Sequence, residues 1–310
     1  MNLIDVTKQF ATDEQCLEYL EAMRWPDGVR CPTCGAKEVS VITRATPGKN
    51  KRGRIYQCLE PTCKQQFSAT AGTIFHDSHL PLTKWFMALA MVVDAKKGIS
   101  ARQLQEHLGI GSYRTAWYMA HHIRKAMEET GSPFLSGTVE IDETYVGGKQ
   151  RGKGVWFAKN QKEIVMGAIE RGGKLRFKHV DNTKAKTIRE FVKDTVSEDV
   201  QRIITDEYAI YVPALQPKLT AIHETIQHKS RVYVRGDVYT NTIESAFSLL
   251  KRGIIGSFHK VSIKHLHRYL SEFEYRFNSR KVPDRFEQTL RRMLGIEAMP
   301  YKQLIAEEKA

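Results

Sequence analysis

Apolar residues recur at helical spacing in DEQCLEYLEAMR, residues 13–24, where acids separate Leu17, Leu20 and Met23. The spacing predicts a short amphipathic helix. From Leu82 the string LTKWFMALAMVVDAKK is apolar nearly all round, which predicts a buried helix. Ser100 and Gln103 have capping-box spacing and open ARQLQEHLG. After a turn at Gly109–Gly111, Ser112 can cap SYRTAWYMAHHIRKAM, whose Ala116, Ala120, Ile123 and Met127 form one stripe. Two helices around a Gly-bearing turn, preceded by a third, predict a helix-turn-helix. A plain three-helix core with a charged face fits the same pattern.

After GSP at 131–133 the period changes from helical to alternating. TVEIDETYV alternates over nine positions, and KEIVMGAIE and KLRFKHV follow, with RGG at 171–173 as a hairpin turn between them. AKTIREFVKDTV reads as a helix and RIITDEY as a short buried strand ending in acids. Further helices are predicted from Asn241 to about Leu250 and from Ser262 to Asn278. The order β-β-β-α-β-α is that of an RNase H-like α/β domain with a mixed sheet. The expected organisation is a helix plus cysteine-bearing ribbon over 1–75, a helix-turn-helix region over 76–131, the RNase H-like domain over 132–285 and a C-terminal helical tail over 286–310.

Composition narrows the class. Of 310 residues, 48 are Lys or Arg and 35 are Asp or Glu, a net charge of +13, which points to a polyanionic partner. The longest apolar run, Trp85 to Val93, falls far short of the roughly 20 residues of a membrane helix. Asp5 and Lys8 stand where a signal peptide would carry its apolar stretch, so an intracellular, reducing location is expected.

In that setting the five cysteines read as metal ligands before disulfides. Cys31 and Cys34 form C-x2-C, and Cys58 and Cys63 form C-x4-C. Such loops let both sulfurs of a pair reach one tetrahedral Zn²⁺, and Gly35 permits the tight turn after the first pair. Four thiolates complete a structural zinc site without His76 or His79, and leave Cys16 as a core residue.

Basic residues cluster. Residues 24–54 carry a net +6 and residues 149–178 a net +7, and GGKQRGKG at 147–154 mixes cations with four glycines and no acid. Such segments suit phosphate contacts, although a solvated loop would look the same. Candidate DNA contacts are Arg52, Arg54, Arg114, Lys149, Arg151, Lys153 and Arg252, with Tyr113 and Tyr118 beside Arg114 at the start of the second helix of the motif.

Three acids occupy positions where an RNase H-like core would gather them: Asp142 mid-strand, Asp206 at a strand end and Glu244 at a helix start. Phosphodiester chemistry uses two divalent ions about 3.5–4 Å apart, and Mg²⁺ takes oxygen ligands. An acid among apolar strand neighbours is costly unless paired or metal-bound, which favours Asp142. Glu140 shares its face by alternation and Glu143 points away; substitutions at both are expected to leave activity measurable. Lys251, seven residues after Glu244, lies on the same helical face and is placed to hold a phosphate. Spacing alone does not separate this triad from three unrelated surface acids.

The strings CPTCG, FSATAGTIFHDSHLPLTKWF, KKGIS, VEIDETYVGG, YVRGDVYTNTIES, LLKRGIIGSFH and KHLHRYLSEFEYRFN together resemble the zinc-ribbon insertion-sequence transposases of bacteria, in the same order and from about residue 10 to residue 285. The resemblance implies a DDE-type catalytic domain with Asp142, Asp206 and Glu244 as its acids and Lys251 beside them. It also makes Asn241 a candidate auxiliary ligand. It further implies a structural Zn²⁺, two catalytic Mg²⁺ or Mn²⁺ ions, DNA partners in the form of terminal inverted repeats and target, a dimer or higher assembly on DNA, and a cytoplasmic, nucleoid-associated place of action. The C-x4-C pair departs from a second C-x2-C and predicts a looser second knuckle. A DNA-binding regulator with an inactive nuclease-like domain and a structure-specific nuclease are the rival readings.

Overall fold

The computed structural model describes residues 1–43, 53–129, 131, 133–147, 162–226 and 236–306. The chain divides into two compact units, one formed by 1–127 with 282–310 and the other by 128–281.

The first unit begins with helices α1 (Leu3–Gln9) and α2 (Asp13–Arg24), both opened by capping boxes. A three-stranded antiparallel sheet follows, β1 (Val39–Thr43), β2 (Arg54–Cys58) and β3 (Gln66–Phe67), in the order β1-β2-β3. Its small core stacks Tyr56 on Phe67 at 5.7 Å, with Trp25 edge-on to both. Next come α3 (Leu82–Asp94), α4 (Ala101–His107) and α5 (Tyr113–Met127). Helix α3 is buried on most of its surface, as its near-continuous apolar run predicts, and the Ser100–Gln103 capping box is formed. The stripe of Ala116, Ala120, Ile123 and Met127 is buried, and so are Cys16, His121 and His122.

The sequence predicts a C-terminal helical tail over 286–310. Helices α11 (Arg285–Leu294) and α12 (Tyr301–Ile305) fall in this region and belong to the first unit. Phe286 packs on Phe10 and Phe86, and Leu290, Met293, Met299 and Leu304 are buried. His122 accepts the Met299 N–H on Nε2 at 2.9 Å, and Tyr118 Oη donates to the Met299 carbonyl at 2.5 Å.

In the second unit a five-stranded sheet has the order β6-β5-β4-β7-β8: β4 (Thr138–Val146), β5 (Glu163–Glu170), β6 (Leu175–Val180), β7 (Arg202–Asp206) and β8 (His223–Ile226). The first three pair antiparallel, and β7 and β8 join parallel to β4. This is the RNase H-like arrangement. Strand β8 is not predicted from the sequence; it is four residues long and three of them are only half-buried, so it carries no alternation to read. One face of the sheet packs Val139, Ile141 and Ile203 against α6 (Ala185–Thr195) and the short α7 (Tyr211–Ala214); α8 (Pro217–Thr220) follows. The other face packs Val165, Ile169 and Leu175 against α9 (Asn241–Gly253) and α10 (Ile263–Asn278). A π-helical turn, Ile254–Phe258, extends α9.

Gly167 sets how closely α9 approaches. It pairs with Asp142 across the sheet, and a Cβ there would stand 2.8 Å from both Ile243 Cδ1 and Phe247 Cζ. Both side chains are buried, so neither can swing into solvent. Gly167→Ala should destabilise the protein by about 1–3 kcal/mol through overpacking and push α9 off the strand. Chemical denaturation of the variant checks this; stability equal to the parent's would refute it.

Candidate active site and zinc centre

The four paired cysteines meet at the end of the ribbon. Cys31 and Cys63 Sγ are 3.7 Å apart and Cys34 and Cys58 Sγ 3.6 Å, with all four sulfurs within 4.8 Å of one another. A tetrahedral ion with Zn–S of about 2.3 Å needs sulfur edges of about 3.8 Å, so the residues fit zinc. Burial pushes the Cys58 thiol up to about 12, and a bound cation is what would make that sulfur a thiolate. At Cys31 burial acts the same way, but the backbone N–H groups of Cys34 and Thr33 outweigh it and bring the thiol down to about 7. Gly35 takes a left-handed φ of 76° after the first pair, as its spacing predicts. The second pair uses a non-glycine residue for the matching bend: Lys64 has φ 49°, held by its N–H bond to the Glu60 carbonyl at 3.1 Å.

The three acids come from three elements on one side of the sheet. Asp142 lies on β4, with its side chain on the α9 face, and its Oδ1 accepts the N–H of Glu143 at 2.8 Å. Asp206 ends β7; β4 and β7 are in register at Thr138–Arg202 through Glu140–Ile204, and continuing that register by two residues sets Asp206 level with Asp142. Adjacent strands are about 4.8 Å apart, so the two carboxylates become neighbours by construction. An Asx turn, Tyr208 N–H to Asp206 Oδ1 at 3.0 Å, fixes the second. Glu244 is in the first turn of α9 and accepts from Thr240 Oγ1 at 3.1 Å. Burial, followed by the carboxylates of Glu143, Asp206 and Glu244, pushes the Asp142 carboxyl up to about 7 against the opposing Glu143 N–H. Excess negative charge around a buried acid is the condition a hard divalent cation relieves, so these residues fit Mg²⁺ or Mn²⁺. Their oxygens are less tightly grouped than the cysteine sulfurs, which form the one such close cluster among the described residues.

Glu143 points to the opposite face, where Tyr211 Oη donates to its Oε2 at 2.7 Å. Lys251 and Arg252 are exposed near the end of α9, Arg252 donating Nε to the Ser248 carbonyl at 3.2 Å. Asn241 is exposed at the start of the same helix.

Several candidate DNA contacts are otherwise engaged. Arg54 pairs with Glu21 at 2.9 Å and reaches Glu18 at 3.7 Å, so acids of α2 neutralise it. Tyr118 is tied to Met299, as above. Arg114 lies over the Tyr301 ring at 5.3 Å, while Tyr113 is exposed. In the 149–178 cluster Arg176 is buried between Glu129 and Glu274, and Lys178 pairs with Asp194. The charge count therefore overstates what faces a polyanion, because folding pairs part of it internally. Arg52, Lys149, Arg151 and Lys153 lie outside the described residues.

Residues 134–278 match the ISXO2-like transposase domain, and residues 11–66 match the transposase zinc-ribbon domain. A relative from Halobacterium salinarum, described as an uncharacterized protein in transposable element ISH50, is 31% identical over 289 residues, 87% of this chain and 92% of its own length. The chain belongs to the zinc-ribbon transposases of this ISXO2-like family. A simian T-cell lymphotropic virus intasome, solved with the PP2A regulatory subunit B56 gamma, aligns at TM-score 0.29 and 14% identity over 57% of this chain and 60% of its own. That likeness is too slight to carry an argument. Among the described residues no helix is long and apolar enough to cross a membrane.

Proposed function

We propose that the chain binds the terminal inverted repeats of its own element through the zinc ribbon and helix-turn-helix, cleaves the element's ends and joins them to target DNA. The observation that carries this reading is the convergence of Asp142, Asp206 and Glu244 on one side of the sheet, where burial and then its acidic neighbours push the Asp142 carboxyl up to about 7. Two divalent ions at such a site supply Lewis-acid stabilisation of the attacking and leaving oxygens. Asp142 and Asp206 act as paired ligands from neighbouring strands, and Glu244 closes the set from the helix. Lys251 steadies a phosphate beside them. In the first step water attacks the phosphorus at the end and a 3′-OH leaves. In the second that 3′-OH attacks a target phosphodiester and displaces the target's own 3′ oxygen. No covalent protein–DNA bond is needed. Two ends must be brought together, which supports a dimer or higher assembly, working on DNA in the cytoplasm.

Incubation with an end duplex, a plasmid and Mg²⁺ tests the reading. Joined products are expected; cutting without joining would instead identify a nuclease, and binding alone a regulator. End affinity should also fall steeply with salt, with a log–log slope near −0.9 per phosphate contact, and Lys251→Ala should reduce that slope by about one contact. A flat titration from low to physiological salt would contradict the DNA role.

A further inference from the structure

Glu140 lies two residues before Asp142 on the same face of β4, and its side chain is 0% exposed. A carboxylate in that position needs compensation. Its Oε1 accepts from Arg171 Nε at 2.7 Å and from Thr242 Oγ1 at 2.9 Å. Its Oε2 accepts the backbone N–H groups of Thr242 at 2.9 Å and Ile243 at 3.0 Å. Arg171 extends the network from the β5–β6 turn: it donates to the carbonyls of Asp237 at 2.7 Å and Tyr239 at 2.9 Å, and its guanidinium lies 3.6 Å from the Tyr239 ring centre.

Those N–H groups are the orphan donors of the first turn of α9. The residue in the ordinary capping position, Thr240, makes no side-chain cap bond to them. The helix is instead capped by an acid from the strand that carries Asp142, and the residue after Ile243 is Glu244. A carboxylate at a helix N-terminus is also favoured by the helix dipole. A local Ser or Asp cap would stabilise the helix as well, but would add no bond between the helix and the strand that carries Asp142. Buried ion pairs contribute little net stability compared with apolar packing, and their well-attested use is to fix register.

We infer that Glu140, braced by Arg171, is a positioning residue that sets Glu244 at a fixed height and rotation relative to Asp142. This rests on the assignment of Glu244 as the third acid of the proposed site. Glu140 touches neither substrate nor reacting atoms; it acts through α9.

The test uses the full chain, with Mn²⁺ as the probe, read by electron paramagnetic resonance independently of activity. Glu140→Gln keeps the shape but places an amide where one accepting oxygen stood. It should weaken Mn²⁺ affinity at least fivefold and lower the joining rate on prebound ends at least tenfold, with end binding unchanged. Arg171→Lys keeps the charge but loses the fork to Asp237 and Tyr239, and should act in the same direction with smaller effect. In a Glu244→Gln background, Glu140→Gln should add almost nothing, because coupled groups are not additive. A lowered melting temperature with parental Mn²⁺ affinity and rate would mean a structural role only and would overturn the inference. If Glu140→Gln does not fold, Arg171→Lys and Thr242→Val decide on the same readouts. If Glu244→Gln alone leaves Mn²⁺ affinity and joining intact, the assignment of Glu244 has failed. If Glu244→Gln is impaired while the Glu140 and Arg171 variants match the parent, only the positioning role has failed.

Discussion

Asp142→Asn should abolish end cleavage and strand joining, a loss beyond about 10³-fold, while end binding persists. The substitution keeps the side chain's size and one oxygen but removes the charge that Asp206 and Glu244 share a site with. Stabilising charge that builds on a phosphate depends on ions that this charge would hold. Binding should survive because the proposed DNA-binding elements, the ribbon and α3–α5, belong to the other unit. Losing one of several crowded negative charges should, if anything, ease the approach of DNA. Asp206→Asn and Glu244→Gln should match it, and combined substitutions should cost no more than one, since the acids act together. Single-turnover joining in Mg²⁺ checks this. A variant that joins ends near the parental rate would show that the acids are assigned wrongly.

Zinc removal should have the second-largest effect. The ribbon core is small, essentially Trp25, Tyr56 and Phe67 with the cysteines and a few aliphatic neighbours. Structural zinc supplies about 10–16 kcal/mol to such sites near neutral pH, more than that core can replace. Strong chelators should unfold β1–β3 and abolish end recognition while leaving the five-stranded sheet folded. Cys31→Ser with Cys58→Ser should do the same and lower zinc content from one per chain to none. Elemental analysis together with circular dichroism reads both. Full zinc retention in that double variant, or metal-replete protein without zinc, would defeat the assignment.

Much of this fold was readable because period and burial agree. The alternation in TVEIDETYV marks β4 to the residue, and the apolar run from Leu82 marks a buried helix. The cysteine spacing led directly to the cluster, since short loops leave a pair of sulfurs little choice of geometry. What was not readable depends on contacts distant in sequence. Arg54 looked like a phosphate ligand until α2 supplied Glu21. Tyr118 reads as a candidate DNA contact, but its hydroxyl donates to the carbonyl of Met299, far along the chain. Glu140 looked dispensable beside Asp142 because alternation reports which face a side chain takes, not what meets it there. Its partners, Arg171 and the first turn of α9, come from segments 31 and 102 residues away.

The return of α11 and α12 to the first unit has a consequence during synthesis. The core formed by α3 and α5 needs Phe286, Leu290 and Met293 to close, so the unit made first cannot finish first. On a ribosome adding about 5–20 residues per second, the intervening second unit takes on the order of ten to thirty seconds to emerge. During that interval the second unit can complete its own sheet, while the helical core of the first waits with Phe10 and Phe86 packed on each other and on Tyr19 but lacking Phe286. A transcript truncated before residue 285 would therefore yield a chain whose recognition half is the damaged one.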